Sequence, residues 1–233
     1  MIHYARGMGL VRVDRVAKCW QLELTTLGRL VVAEDPYLSE SVTLWLLHLM
    51  LCRRNDLEDP AVGLADAWFA LFAEGTLRLG NRFDQKAYLG YLIERHGKKG
   101  YLKGLSGLVL RSYLESTCFG PITALSEEVL DGQTLYLRHA APTERSHFPA
   151  YSAYLFLVWD TLYDGYNQIA IDDIFTQSRC LAVMGWDRAM ATPWLDWMVD
   201  HGLLQLDRQT GSTLALRLRD TETVIAGMFD ELI

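Results

Sequence analysis

The sequence predicts a mainly α-helical protein, with a partial winged-helix hairpin at the N-terminal end of a helical core and a winged-helix-like module at the C-terminal end. Apolar side chains recur at helical spacing through residues 34–120. Apolar and polar side chains alternate in two pairs of short segments, at 10–13 with 20–24 and at 203–207 with 212–218. We therefore divide the chain into a partial winged-helix element at 1–33, a helical domain with an irregular connection at 34–147, and a winged-helix-like domain at 148–233.

The composition is that of a folded globular protein. Of the 233 residues, 50% are hydrophobic and 11% are aromatic, which supplies ample apolar surface for a core and excludes a mainly disordered chain. Four widely spaced cysteines exclude a disulfide scaffold. No apolar run reaches the roughly 18 residues of a membrane span, and the first residues lack the apolar stretch of a signal peptide. We expect a cytoplasmic protein with no membrane partner.

The first 33 residues predict a strand, a loop, a second strand and the start of a helix. The segments 10–13 and 20–24 each predict a strand with one buried face, and residues 14–19 predict a basic loop between them. Thr25 is placed to cap the helix through its side-chain oxygen. A winged helix has two more helices ahead of such a hairpin, so we expect this element to be partial. We also expect an uncovered apolar patch around Ile2, Tyr4, Met8 and Leu10.

The middle of the chain predicts four helices joined by polar turns. Their spacing of apolar residues places them at 42–53, 64–75, 84–97 and 102–116. Ser39 or Ser41 is expected to cap the first helix and Asp84 the third. Gly75 is expected to end the second helix and Gly97 the third.

The remainder predicts an irregular connection and then a complete winged-helix order. The connection at 118–148 contains one strand, at 134–138. The elements that follow are a buried aromatic helix at 151–163, a strand at 168–171, a short helix from Asp172, a helix ending at Gly202, the second hairpin and a closing helix at 221–232.

The charge is unevenly distributed. The net charge of −7 argues against a protein that coats nucleic acid over its whole surface. Two segments are nevertheless basic: residues 1–32 carry five basic against two acidic side chains, and residues 94–113 carry five against one. Ordinary solvated helix surface also explains such clusters. If the chain contacts nucleic acid, the residues expected to bind it are Arg6, Arg12, Arg15, Lys18, Lys98, Lys99 and Lys103.

The second module has the wrong charge for DNA. If residues 187–202 contain its recognition helix, the exposed charges there are Asp187, Arg188, Asp196 and Asp200. Three carboxylates against one guanidinium repel the phosphate backbone, which supplies most non-specific affinity. We therefore expect this module to contact protein and the first hairpin to contact DNA.

No sequence motif predicts catalysis. The chain lacks a nucleophile elbow, a P-loop and a dinucleotide-binding fingerprint. Its six histidines form no H-x-x-x-H pair, and its cysteines form no C-x-x-C pair. We predict no catalytic residue, no metal ligand and no cofactor. The weak candidates are a phosphate cradle at 97–100, which an ordinary glycine cap also explains, and an approach of His139 to His147; His48 is expected to be a core residue.

Three short pieces carry a family resemblance. L-T-T-L-G-R-L at 24–30, D-P-Y-L at 35–38 and T-L-W-L-L-H at 43–48, in this order and spacing, resemble the bacterial family called domain of unknown function 4007. Looser agreement continues to the Gly202 region. The resemblance implies helical domains with winged-helix modules, and genes in prokaryotic anti-phage islands beside proteins that resemble the sulfurtransferases of DNA phosphorothioation. It brings no catalytic residues. Family members normally have further helices before Gly9, and this sequence departs from them there.

The leading hypothesis is a non-catalytic subunit of a prokaryotic DNA-modification or anti-phage defence system, which associates with DNA or acts as a scaffold. Its expected partners are other protein subunits of the complex and, in the DNA-associated form, double-stranded DNA. One alternative is a winged-helix transcriptional regulator, by analogy of fold. Another is an enzyme with an unrecognised site near Lys98, Lys99 or His139.

Overall fold

A computed structural model describes residues 2–16, 19–208 and 211–232, and within them every side chain except those of residues 15 and 16. It confirms the mainly α fold. The N-terminal elements are α1 (Ile2–Gly7), β1 (Val11–Val16), β2 (Cys19–Leu24) and α2 (Thr26–Glu34). The middle elements are α3 (Ser41–Leu51), α4 (Asp66–Phe72), α5 (Gly75–Leu79), β3 (Arg82–Phe83), α6 (Gln85–His96), α7 (Leu102–Ser112), β4 (Leu125–Leu130) and β5 (Gln133–Arg138). The C-terminal elements are α8 (Phe148–Leu162), β6 (Gln168–Ala170), α9 (Ile171–Ser178), α10 (Cys180–Met184), α11 (Arg188–Asp200), β7 (Leu204–Asp207), β8 (Leu214–Arg217) and α12 (Thr221–Ala226).

The first hairpin forms as predicted, but its second strand does not have the predicted buried face. β1 and β2 pair antiparallel from Val11 opposite Leu24 to Val16 opposite Cys19, so the strands replace most of the basic loop expected at 14–19. The expected buried face of β2 is wrong, because Trp20, Leu22 and Leu24 are 55%, 51% and 44% exposed. Alternation predicts an apolar face, but only a packed neighbour buries it.

The apolar patch predicted around Ile2, Tyr4, Met8 and Leu10 is not uncovered as expected. Tyr4 packs edge to face against Trp68 with ring centroids 5.4 Å apart, and Met8 and Leu10 are half-buried against the core. Of the four predicted residues, only Ile2 is exposed. Other exposed apolar side chains of this end of the molecule include those of β2, Val32 and Tyr37.

Helix ends follow the capping residues in most places. The Thr25 hydroxyl accepts the N–H of Gly28 at 2.9 Å, and Asp84 accepts the N–H of Ala87 at 2.6 Å, so both predicted caps are confirmed. Gly97 ends α6 with φ of 73°. Position 28 also requires glycine, because a Cβ there would lie 2.0 Å from the carbonyl oxygen of Leu10.

Several predicted helix ends are wrong, and the fourth predicted helix stops at Ser112 and not at residue 116. Helix α3 starts at Ser41 behind Glu40, which makes no side-chain capping bond. The carboxylate of Asp35 instead accepts the N–H groups of Ser39 and Glu40, at 2.8 and 3.1 Å, and so orders the turn before the helix. Gly75 begins α5 and does not end α4, because α4 has already stopped at Phe72.

One hydrophobic core joins the parts of the chain, from Leu27 to Met228. Its centre is α3 and α8, whose residues are buried on nearly all sides, and α8 packs against both α3 and α12. The prediction of a buried aromatic helix at 151–163 is confirmed. Among the described residues, no helix is long and apolar enough to cross a membrane.

Two three-stranded antiparallel sheets complete the fold, with strand orders β3-β5-β4 and β6-β8-β7. The irregular connection holds a hairpin where one strand was expected; its turn places Asp131 and Gly132 at φ of 52° and 77°. The C-terminal strand, helices and hairpin occur in the predicted order, and the closing helix is shorter than predicted, ending at Ala226. The three-part division of the chain stays a prediction.

Candidate nucleic-acid interface

The predicted contact residues of the N-terminal segment lie on α1 and β1. Arg6 is exposed at the end of α1, and Arg12 is exposed on β1 directly opposite Glu23 of β2. The backbone of Arg15 belongs to β1, but its side chain and the whole of Lys18 lie outside the described residues. Two of the four expected cations are thus placed, and one of them faces a carboxylate.

Arg6 and Arg12 line a cleft of about 530 Å³ in which both signs of charge are present. The cleft lies between the hairpin, the loop after α3, the end of α8 and the start of α12. Its acidic lining residues are Asp14, Asp160 and Glu222. These carboxylates oppose any phosphate that enters, because they lie within the range of unscreened charge interaction.

The two further arginines of this cleft, Arg53 and Arg54, hold the fold together. Arg53 donates to the carbonyl oxygens of Gly7 and Met50 at 2.5 and 2.6 Å, and burial lowers its pKa to about 10. Arg54 is 6% exposed and donates to the carbonyl oxygens of Gln177 and Glu58. Their guanidinium groups therefore tie α1 and α9 to the loop after α3.

The lysines of the second basic segment surround the turn between α6 and α7. Lys98 and Lys99 are exposed in this turn, and Lys103 is exposed in the first turn of α7. No ion pair to these lysines forms within the described part of the chain. The residue before α7, Tyr101, makes no side-chain capping bond, and the first N–H of the helix, that of Leu102, donates to the carbonyl oxygen of Lys99 at 3.2 Å.

An open groove of about 620 Å³ continues from this turn along α7. Its lining consists of Gln85, Gly100, Lys103, Gly104, Gly107, Arg111 and Tyr136, without a carboxylate among these described residues. A Cβ at Gly100 or Gly104 would meet nothing within 4 Å, so these glycines leave the backbone accessible and are not demanded by packing. The groove thus combines two basic side chains with solvent-accessible backbone at its glycines. This combination suits a chain of phosphate groups.

Sequence reasoning missed three of the groove residues. Arg111 was counted in the segment charge but not assigned to a site, although it follows Lys103 by eight residues and therefore shares its side of a helix. Gln85 and Tyr136 come from α6 and β5, which only the tertiary fold brings to α7.

Arg95 was counted in the same basic segment, but it is not available to a ligand. It donates to both carboxylate oxygens of Asp66 at 2.6 and 3.0 Å and to Glu74 at 2.5 Å. Burial opposes its charge, yet the hydrogen bonds and charge of Asp66 keep the pKa of Arg95 above its ordinary value. His96 also contacts Asp66, at 2.9 Å, so these acids are occupied by protein cations.

Helix α11 is acidic on its exposed side, as expected. Its one arginine, Arg188, forms an ion pair with Asp172, and Asp187 is occupied in accepting the N–H of Met190 at 2.9 Å. Asp196 lies 3.7 Å from Arg208 of the second hairpin. Arg188 and Arg208 are thus already paired with carboxylates.

The histidines do not assemble a site. His48 is buried beside Tyr113, with which its Nδ1 shares a 2.7 Å hydrogen bond, and burial lowers its pKa to about 3. His139 bonds Ser126 and His147 bonds Ser41, at 2.6 and 3.2 Å, so each of these two histidines has its own partner. Within the described residues, no three His, Cys, Asp or Glu side chains gather to hold a metal ion.

Two solved structures are similar to this fold. They are a magnesium ion-bound SspB crystal structure, with a TM-score of 0.73, and an SspB crystal structure, with a TM-score of 0.70. Each is 15% identical to this chain, and each alignment covers 99% of this chain and 73% of the SspB chain. At this identity the likeness shows the fold alone.

No protein-family model matches the chain, and no curated protein matches it. The resemblance to the domain of unknown function 4007 therefore stays a prediction.

Proposed function

We propose that this chain is a non-catalytic, DNA-associated subunit of a prokaryotic DNA-modification or anti-phage defence system, acting in the cytoplasm with other protein subunits. The observation that carries the proposal is the α7 groove, which has Lys103 and Arg111 on its sides, glycine backbone between them and no lining carboxylate. Lys98 and Lys99 extend the same positive surface through the adjacent turn.

The groove suits the phosphate backbone and not a particular base sequence. Lysine and arginine neutralise phosphates and release condensed counterions, which supplies affinity without reading sequence. Among the described residues, Lys103 and Arg111 form no ion pair with a carboxylate, although Glu127 of β4 lies opposite Tyr136 at the edge of the groove. DNA binding through this surface should therefore be strongly salt-dependent and tolerant of sequence.

Two features support a protein partner. Helix α11 pairs its arginine with Asp172 and presents Asp196 and Asp200, which suits protein contact better than DNA. Strand β2 exposes Trp20 and Leu22, side chains that a partner subunit would cover.

The family resemblance and the SspB-like fold are the support for a defence or DNA-modification setting. The C-terminal order of strand, helices and hairpin, with β8 between β6 and β7, supports a winged-helix-like module at 148–233.

The test is duplex binding measured across salt concentrations for a triple variant, Lys98→Ala, Lys99→Ala and Lys103→Ala. Each lost phosphate contact should lower the slope of log affinity against log salt by about 0.9, so the triple variant should lose about 2.7. Lys86→Ala is the matched control, because Lys86 is exposed on α6 but does not line the groove. A triple variant with the wild-type slope would show that the groove does not bind DNA.

A further inference from the structure

A second pocket, separate from the groove, has a buried arginine in its wall. It has a volume of about 230 Å³ and lies where the end of β5 meets α5 and α10. Arg138 is 7% exposed, whereas Thr76, Asn81 and His139 are exposed around it. Phe72, Ala140 and Val183 supply apolar lining.

The guanidinium of Arg138 has fewer partners than a buried cation needs. It donates to the carbonyl oxygen of Leu71 at 3.2 Å and to that of Gly80, and its Nε is buried without a hydrogen bond. A guanidinium has five N–H donors, so three remain unused. The central carbon of the guanidinium lies 4.9 Å from the centre of the Phe83 ring. This stacking stabilises the positive charge, but the ring does not accept hydrogen bonds from the unused N–H groups, which lie in the plane of the guanidinium.

Among the residues that the structure describes, Arg138 also has no counter-ion. Arg54, Arg95 and Arg217 each form an ion pair with a carboxylate. No ion pair to Arg138 forms within the described ranges, and the pocket lining contains no acidic residue. Burial accordingly lowers the pKa of Arg138 to about 10, with no acid to offset the loss of water. Burying a charge without a partner costs free energy, so an anion that binds beside the guanidinium of Arg138 would offset this cost.

The backbone around the pocket is shaped for this arginine. A Cβ at Gly75 would lie 2.7 Å from Nη1 of Arg138, so only glycine lets the guanidinium lie against the start of α5. Gly185 lines the same pocket at φ of 68°, and a Cβ there would press on Ala140 at 3.0 Å.

We propose that this pocket binds a small tetrahedral oxyanion, inorganic phosphate in the first instance, through the free donors of Arg138 with Thr76 and Asn81 at the rim. The planar fork of arginine matches the oxygens of such an anion. The volume lies below the roughly 300–1,000 Å³ of sites that enclose drug-sized ligands, which points to a small ion.

The test is calorimetric titration of inorganic phosphate into the full chain at constant ionic strength. We expect saturable binding at one site. Arg138→Lys keeps the charge but removes the fork, and should weaken binding about tenfold. Asn81→Ala, at an exposed rim position, should weaken it about threefold. Arg82→Lys is the matched control, because Arg82 lies on the neighbouring strand β3, is paired with Glu128 and does not line the pocket; its affinity should equal that of the wild type.

Several outcomes would overturn the proposal. These are no saturable binding by the wild-type chain, equal affinity in wild type, Arg138→Lys and Asn81→Ala, or tighter binding of acetate than of phosphate. If Arg138→Lys fails to fold, Asn81→Ala and Thr76→Ala decide, because both residues are exposed. The triple lysine variant of the groove should bind phosphate like the wild type, so failure of the DNA proposal and failure of this one are distinguishable.

Discussion

The N-terminal cleft and the α7 groove both have basic residues in their lining but differ in what surrounds those residues. In the cleft, Arg6, Arg12, Arg53 and Arg54 share the lining with Asp14, Asp160 and Glu222. In the groove, Lys103 and Arg111 share it with glycines, an amide and a phenol. Coulomb attraction to a phosphate is the sum over all of these charges, so the groove attracts an anion and the cleft largely cancels its own field.

The two regions also differ in how firmly they are held. Helix α7 buries Leu102, Val109 and Leu110, and the tyrosine that follows it bonds His48 in the core. Strand β1, which lines the cleft, has no fully buried side chain among residues 11–14. A surface on a packed helix keeps its geometry before the ligand arrives, which reduces the ordering cost of binding.

The largest expected effect concerns the stability of the core against which α7 packs. His48 is neutral in the folded protein because burial lowers its pKa from 6.5 to about 3. Its contribution to stability is therefore complete above pH 6.5 and is lost as the pH falls toward 3, since the unfolded chain binds the proton first. Between pH 7 and pH 4.5 this group alone should reduce the free energy of unfolding by roughly 2–3 kcal/mol.

Denaturant unfolding at these two pH values would measure the effect. His48→Asn should be less stable at pH 7, because it loses the bond to Tyr113, but should lose roughly 2–3 kcal/mol less on acidification than the wild type. His3→Asn is the control, since His3 is exposed on α1. Equal acid sensitivity in the wild type and His48→Asn would contradict the burial argument.

The next effect separates binding from folding within the groove. Gly104→Glu places a carboxylate between Lys103 and Arg111 and should weaken duplex binding about tenfold. A Cβ at Gly104 meets nothing within 4 Å. Replacing a helical glycine should therefore raise the free energy of unfolding by about 0.5–1 kcal/mol.

Gly90→Glu is the matched control for this variant. Gly90 is exposed in α6, is also free of neighbours within 4 Å and does not line the groove. It should gain similar stability and keep wild-type affinity. Equal loss of binding in both variants would mean that overall charge, and not the groove, controls affinity.

Local signals predicted much of the fold. The caps at Thr25 and Asp84 and the end of α6 at Gly97 need only neighbouring residues, and they were correct. Strand β4 was missed, although Asp131 and Gly132 are a turn signal, because its L-S-E-E-V-L sequence does not alternate and forms a strand only by pairing with β5.

The candidate site was predictable only in part, for the same reason. The turn lysines at 98 and 99 are exposed, and a run of glycines and lysines indicates this locally. Arg95 stands in the same segment but pairs with Asp66, 29 residues away, and no local pattern predicts that. Charge counted along a sequence therefore overstates the charge that a surface presents.

The smallest expected effect tests the cleft itself. Arg6→Ala with Arg12→Ala removes two exposed cations, but three lining carboxylates already weaken their attraction for phosphate. The slope of log affinity against log salt should therefore fall by less than about 0.9, the value for one full phosphate contact. Asp14→Asn is the opposing variant, and it should raise duplex affinity slightly because it removes one of those carboxylates. If the double arginine variant lowers the slope as much as the triple lysine variant, the cleft carries phosphate contacts of its own, and the difference drawn between the two regions is wrong.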